Sequence, residues 1–219
     1  ANKMALAIFS ANNQIDLGLT DLANSLTGFE AEILTGVPDR GKALANSCIS
    51  CHGNDFTGMV SERSPSLPQL SDWYMQSQMQ KFKHNVRGYE VTDSDGTVMK
   101  ALMQNYSHQQ MADMVAYIRT FKPKEKSISL GGDPVKGKIH YQTCIACHQV
   151  DGKGNKLLNS PSLVGHSDLY LYNQLIKFRN GHRGSGSGDK AGKIMQMSAK
   201  SLPDDQAIKD LAAYLTTLK

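Results

Sequence analysis

The chain contains 219 residues, of which 40% are hydrophobic and 20% are charged, and its formal net charge is +4. This composition is ordinary for a globular protein of one or two domains, and so small a charge gives no indication of nucleic-acid binding. No run of about 18 apolar residues occurs, so no transmembrane helix is predicted, while association with a membrane surface stays open.

Residues 1–35 form the first predicted segment and have no counterpart later in the chain. Apolar residues recur in it at roughly helical spacing, which predicts one or two short amphipathic helices. We expect this N-terminal extension to cover the first domain, and docking to a partner is the alternative. The chain starts at Ala1 without a basic and apolar leader, which we interpret as the mature form of an exported protein.

Residues 36–121 form the first predicted domain, and their pattern is helical. Local signals predict a helix from Pro38 into a cysteine motif, a loop over 53–70, a helix over 71–87 capped by Ser71 or Asp72, a loop over 88–97, and a final helix over about 107–121 capped by Ser107. No stretch of the chain alternates with the period of a strand, so an all-α protein is expected.

The cysteine motif is Cys48-Ile49-Ser50-Cys51-His52, and it recurs as Cys144-Ile145-Ala146-Cys147-His148. In such a motif two thiols form thioethers to a c-type haem and the histidine binds its iron. The two copies use all four cysteines of the chain. A zinc ribbon would place its cysteine pairs roughly 15–20 residues apart, and a thioredoxin-like pair would occur once. The motif therefore predicts two covalently attached haem c groups.

The duplication extends well beyond the motif, because a shift of 96 positions aligns the two halves of the chain. Pro65-Ser66-Leu67 falls on Pro161-Ser162-Leu163, and Lys81-Phe82 falls on Lys177-Phe178. The charged, glycine-ended segment 122–133 is the predicted linker, and 134–219 is the predicted second domain. Its expected elements are a helix from about 134, the motif at 144–148, a loop to 165, a helix over 167–180, a loop over 181–188 and a last helix over 203–218.

The repeat also selects the sixth ligands of the irons. Met99 lies 47 residues after His52, and Met195 lies 47 residues after His148. None of the other methionines has a methionine at the repeat offset, so we predict that these two are the axial partners, with Met103 and Met197 as the next candidates. A methionine in that position raises the reduction potential and fills the site, which favours electron transfer. The other five histidines have no histidine at the repeat offset and are expected to be surface or structural residues.

A few further residues are expected near the haems. An iron-bound histidine donates its second ring N–H to a fixed acceptor, and the Pro65 and Pro161 carbonyls, 13 residues after each histidine, are the candidates. Four repeat-matched basic side chains are expected either at haem propionates or on the solvated surface, and they are Lys81, Arg87, Lys177 and Arg183.

Taken together, the tandem motifs, the Pro-x-Leu elements and the ordered methionines resemble the dihaem cytochrome c4 family. In that family the ligand methionine precedes the start of the last helix by a fixed spacing, which Met195 before Leu202 and Met99 before Tyr106 both match. The resemblance implies two class I cytochrome c domains related by a pseudo-two-fold axis. It also implies a periplasmic electron carrier that exchanges electrons with redox partner proteins, for example toward a terminal oxidase or reductase.

The predicted function is therefore single-electron transfer and not enzymatic chemistry. One alternative is a cytochrome subunit of a dehydrogenase or reductase complex, docked through residues 1–35. Another is a dihaem peroxidase, which needs an accessible iron, and the methionine matched in both halves argues against it. Since haem c is attached to reduced thiols after export, the periplasm is the expected compartment.

Overall fold

The computed structural model of the chain describes residues 28–59, 61, 63–123 and 130–219. Regular structure in these residues is helical, with a single isolated bridge between Asn155 and Ser160. The α-helices are Pro38–Leu44 (α1), Ile49–His52 (α2), Asp72–Lys83 (α3), Ser94–Met103 (α4), His108–Ile118 (α5), Pro134–His140 (α6), Ile145–His148 (α7), Asp168–Arg179 (α8), Lys190–Lys200 (α9) and Asp205–Leu215 (α10). The helices predicted within residues 1–27 lie outside the described part. None of the described helices combines the length and apolar character needed to cross a bilayer.

The ten helices form two copies of one arrangement, which confirms the tandem all-α prediction. In each half the first helix packs on the last: α1 on α5, and α6 on α10. A glycine makes this close approach possible, because a Cβ atom built on Gly41 would lie 1.9 Å from the carbonyl oxygen of Asp113. Gly137 stands in the same relation to the carbonyl oxygen of Asp210, also at 1.9 Å.

The helix starts follow the predicted capping chemistry with one exception. Ser107 and Gln110 form a capping box at the start of α5, which satisfies two backbone N–H groups reciprocally. Ser167 accepts a hydrogen bond from the Tyr170 backbone at the start of α8. Ser71 occupies the equivalent position before α3, but its hydroxyl is buried and caps nothing. The residue predicted to cap α3 is therefore in place without making the hydrogen bond.

The structure corrects the prediction of loop for residues 88–97, because α4 already begins at Ser94. Asp93 caps this helix by accepting a hydrogen bond from the backbone N–H of Gly96 at 3.1 Å. Asp189 caps α9 through Gly192 in the same way, at 2.9 Å. The glycines in the first turn concealed both helices, since glycine lowers helix propensity. These two helices carry Met99 and Met195.

Each half has its own apolar core. In the first, the cluster includes Cys48, Phe82 and Met111, and Met99 packs against its edge. In the second, an equivalent cluster has Cys144 and Met195 at its edge. The cysteine motif and the candidate methionine of each half therefore border the same apolar region.

Two reciprocal ion pairs join the halves. Lys81 of the first half binds Asp189 of the second at 2.6 Å, and Lys177 of the second binds Asp93 of the first at 2.6 Å. All four side chains are largely shielded from solvent. Under the 96-residue shift Lys81 falls on Lys177 and Asp93 falls on Asp189. The two ion pairs are therefore related by a pseudo-two-fold symmetry.

A second symmetric network lies between the halves. Arg87 donates to the side-chain oxygens of Gln78 at 2.9 Å and Gln174 at 3.0 Å. Arg183 donates to the same two oxygens, at 3.0 Å and 2.8 Å. Burial and the neighbouring Arg183 guanidinium lower the pKa of Arg87 to about 10. The solvated-surface interpretation of these basic residues is wrong, because they join the two domains.

The described end of the N-terminal extension is an extended strap over residues 28–37. Two buried glutamines on α3 clasp its backbone. Gln80 accepts from the Glu32 N–H and donates to the Glu32 carbonyl, and Gln76 does the same with Leu34. The Phe29 N–H donates to the Gly188 carbonyl at 2.9 Å, so the strap reaches the second domain.

Candidate haem-binding sites

The cysteine motifs lie where a short 3-10 turn passes into a helical turn. Cys48 ends the turn Ala45–Cys48, and His52 ends α2. Residues three apart on a helix share a face, so Cys48 and Cys51 are directed to one side. The turn Tyr141–Thr143 and α7 repeat the arrangement for the second motif. None of the four cysteines is engaged in a disulfide, so all four can serve haem attachment.

Both motif histidines have the orientation of an iron ligand. His52 Nδ1 lies 3.2 Å from the Pro65 carbonyl oxygen, and His148 Nδ1 lies 3.0 Å from that of Pro161. This confirms the acceptors predicted from the sequence. Because a carbonyl only accepts, Nδ1 carries the proton and Nε2 keeps its lone pair for a metal.

Burial keeps these imidazoles in the form that binds metals. His52 and His148 are each 6% exposed. Desolvation lowers the pKa of both, against the smaller opposing effect of the proline carbonyl. Both rings are therefore neutral near pH 7, and a neutral imidazole is the ligand species.

A glycine in each loop after the motif returns the chain to its histidine. Gly58 has a φ of +82°, and its N–H donates to the His52 carbonyl at 2.9 Å. Gly154 has a φ of +78°, and its N–H donates to the His148 carbonyl at 3.0 Å. Side chains at these positions would meet backbone of the proline segment at about 2.5 Å. Sequence reasoning missed this matched pair, although the repeat offset contains it.

The four candidate methionines occupy different environments. Met99 and Met195 are both partly buried and pack against the apolar core of their own half. Met103 is fully buried within the first core, and Met197 is 62% exposed. Met99 and Met195 therefore lie in equivalent environments, whereas Met103 and Met197 do not.

The donor set fits haem c better than zinc. Among the residues that the structure describes, no group of three or more His, Cys, Asp or Glu side chains is arranged to hold a metal ion. Burial raises the pKa of the Cys48 and Cys144 thiols, which disfavours the thiolate that zinc needs. A buried neutral imidazole, two thiols on one side of a turn and an adjacent apolar region are what a covalently held porphyrin requires.

Comparisons with known proteins agree with this site. The cytochrome c family model matches residues 38–122 and again residues 134–219. Cytochrome c4 of Pseudomonas aeruginosa is 30% identical over 215 residues, covering 91% of each chain. A protein of Thiomonas intermedia named thiosulfate dehydrogenase electron acceptor is 29% identical over 176 residues, covering 74% of each chain.

A solved structure shows the same fold. Reduced recombinant cytochrome c4 from Pseudomonas stutzeri superposes with a TM-score of 0.66, covering 84% of this chain and 100% of that chain at 23% identity. The paired family matches and the relative that spans nearly the whole chain agree with the two motif sites. The chain belongs to the cytochrome c4 family, the dihaem electron-transfer cytochromes c, and it binds two c-type haems.

Proposed function

We propose that this chain is a periplasmic one-electron carrier with both irons closed by a methionine. Cys48, Cys51, Cys144 and Cys147 would hold the haems through thioethers, and His52 with Met99 and His148 with Met195 would bind the irons. Bound haem c supplies a reversible one-electron couple at its iron. We also infer that the functional units are residues 36–121 and 134–219, with 122–133 as the linker and 1–35 as an extension.

The observation that carries the proposal is the equivalence of the two sites. Each histidine is oriented by a proline carbonyl, and each candidate methionine borders the core that contains its motif. With a methionine sulfur as its second protein ligand, each iron would have no open position for a substrate. The protein side chains thus hold the irons, exclude water and favour electron transfer over bond-making chemistry, so we propose that the chain is not an enzyme.

The periplasm is the compartment that fits this chemistry. Haem c is attached to reduced thiols on the outer side of the bacterial inner membrane, and the two motifs contain all four cysteines of the chain. We infer that donor and acceptor are redox proteins of the same compartment, such as a dehydrogenase upstream and an oxidase or reductase downstream.

The second candidate function is a cytochrome subunit of a dehydrogenase complex. The name of the Thiomonas intermedia relative describes a protein that accepts electrons from thiosulfate dehydrogenase. However, residues 28–35 of the extension bind this chain's own domains through Gln76, Gln80 and Gly188. This part of the extension therefore supports internal covering over docking to another protein.

Methionine substitution tests the proposal. Met99→Ala and Met195→Ala should each open one iron, so that carbon monoxide added to the reduced protein changes the spectrum of one haem in two. Met197→Ala is the matched control on α9, and it should leave both haems closed. Carbon monoxide binding that is unchanged in either ligand variant would show that the methionine is misassigned.

A further inference from the structure

Three titratable side chains form a row on the first domain, outside the haem-binding motifs. His84 is the C-cap residue that follows α3, His108 is the first residue of α5, and Glu32 belongs to the strap. His84 Nε2 lies 3.1 Å from His108 Nε2. His108 Nδ1 lies 3.1 Å from the Glu32 carboxylate oxygen Oε2.

The carboxylate fixes the tautomer of His108. An ionised carboxylate only accepts, so His108 donates its Nδ1–H to Glu32. In the neutral ring, Nε2 then carries the lone pair, and it faces His84. Metal-binding histidines are commonly held in this way, with a carboxylate on the nitrogen away from the ion.

The spacing of the two rings is compatible with a shared ion. Imidazole nitrogens bind Zn²⁺ at about 2.0–2.1 Å, which places two ligands about 2.9–3.4 Å apart at tetrahedral or square corners. The observed 3.1 Å lies inside that range. The ring planes are 74° apart, with centroids separated by 5.3 Å. This contact is a hydrogen bond that His84 Nε2–H donates to His108 Nε2. Transfer of that proton to Nδ1 of His84, together with a turn of both rings, would direct both lone pairs at one ion.

We propose that His84 and His108 bind one divalent transition metal ion of the Zn²⁺, Cu²⁺ and Ni²⁺ class, with Glu32 as the residue that positions His108. Imidazole is a preferred ligand of these ions. The His108 side chain is 28% exposed, so water completes the coordination. The ion ties the end of α3 to the start of α5 and, through Glu32, to the strap. This site is independent of the proposed electron-transfer function.

The second domain supplies an internal comparison. The C-cap residue that follows α8 is Asn180, and the first residue of α10 is Asp205. The same fold therefore accepts these residues at the equivalent positions without a histidine pair. The variants His84→Asn and His108→Asp carry the second domain's residues and should fold.

Calorimetric titration of the purified dihaem protein with ZnCl₂ tests the site. We expect one Zn²⁺ per chain, with at least tenfold weaker binding in His84→Asn and in His108→Asp. Glu32→Gln should weaken binding about tenfold or more, as loss of an outer carboxylate does in known sites. His182→Asn is the control and should bind like the parent, and the haem absorption spectrum should be unchanged in every variant.

Copper identifies the ligands directly. With one equivalent of CuSO₄, the electron paramagnetic resonance spectrum should show two equivalent nitrogen ligands in the parent and fewer in each histidine variant. Absence of stoichiometric Zn²⁺ binding, or equal affinity in the parent and both histidine variants, would overturn the site. Unchanged affinity in Glu32→Gln would remove the positioning role of that carboxylate.

Discussion

His166 shows how one buried side chain sets a pH dependence in this protein. The residue is 4% exposed and packs against Tyr170, with ring centroids 5.1 Å apart. Its Nδ1 is buried and has no hydrogen-bond partner among the described residues. Burial lowers the pKa of His166 from 6.5 to about 4. The equivalent residue of the first domain is Leu70, which is also buried.

Since the unfolded chain binds a proton at His166 near pH 6.5 and the folded chain only near pH 4, stability falls as the pH decreases between these values. His166→Leu should remove this contribution. It should also raise the free energy of unfolding at pH 7 by about 1–3 kcal/mol, because an unsatisfied buried polar group is replaced by an apolar one. Urea unfolding at pH 7 and pH 5 measures both effects.

A His166→Leu protein that is less stable at both pH values, with the same loss of stability on acidification, would contradict the prediction.

At the scale of elements, the strap is held by glutamine side chains that hydrogen-bond its backbone in place of a neighbouring strand. An extended segment outside a sheet leaves N–H and C=O groups without partners, and burial of such groups is costly. Gln76 and Gln80 lie one helical turn apart on α3, so their amides face the same side and meet alternate residues of the strap. The four hydrogen bonds satisfy Glu32 and Leu34 at both backbone groups.

The double variant Gln76→Leu, Gln80→Leu should release the strap without opening the core. Each lost hydrogen bond contributes about 1 kcal/mol, so amide exchange of Glu32 and Leu34 should accelerate at least tenfold. Hydrogen–deuterium exchange with mass spectrometry over residues 28–37 measures the change. Gln104→Leu, which removes an exposed glutamine of the same domain, should have no effect on that segment. Unchanged exchange in the double variant would show that other contacts hold the strap.

The repeat offset predicted the hydrogen-bond acceptors of the motif histidines, because a residue that is needed at each haem must recur in both halves. Pro65 and Pro161 were found in that way. The helices that carry the methionines were not predicted, since Gly96 and Gly192 lie in their first turns and the aspartate caps precede them. The contact of His84 with His108 was also missed, because a comparison of the two halves discards residues that occur in one half only.

At the scale of the whole molecule, the domain boundary is held by buried charge. Local sequence patterns do not reveal which side chains meet across such a boundary. For this reason the sequence predicts Lys81 and Lys177 only at haem propionates or on the solvated surface. In the structure each lysine neutralises an aspartate of the other domain. Removing one member of a buried pair is costly because the other charge stays buried without compensation.

The double variant Lys81→Met, Lys177→Met should separate the unfolding of the two domains. Loss of a buried partner costs about 3–5 kcal/mol per pair. We expect one calorimetric transition for the parent, and in the double variant unfolding should move to lower temperature and split into two transitions. Lys138→Met removes an exposed lysine of the second domain and should leave the transition in place. A single unshifted transition in the double variant would show that contacts other than these ion pairs hold the domains together.

Asp93 and Asp189 each have two partners: the first turn of the helix that carries a candidate ligand, and a lysine contributed by the opposite half. As a result of the duplication, each half provides the lysine that neutralises the capping aspartate of the other half. In a polypeptide that contains one half alone, the helix that carries the candidate methionine would begin at an aspartate whose lysine partner is missing. Each half expressed alone should therefore be less stable than the same half within the full chain.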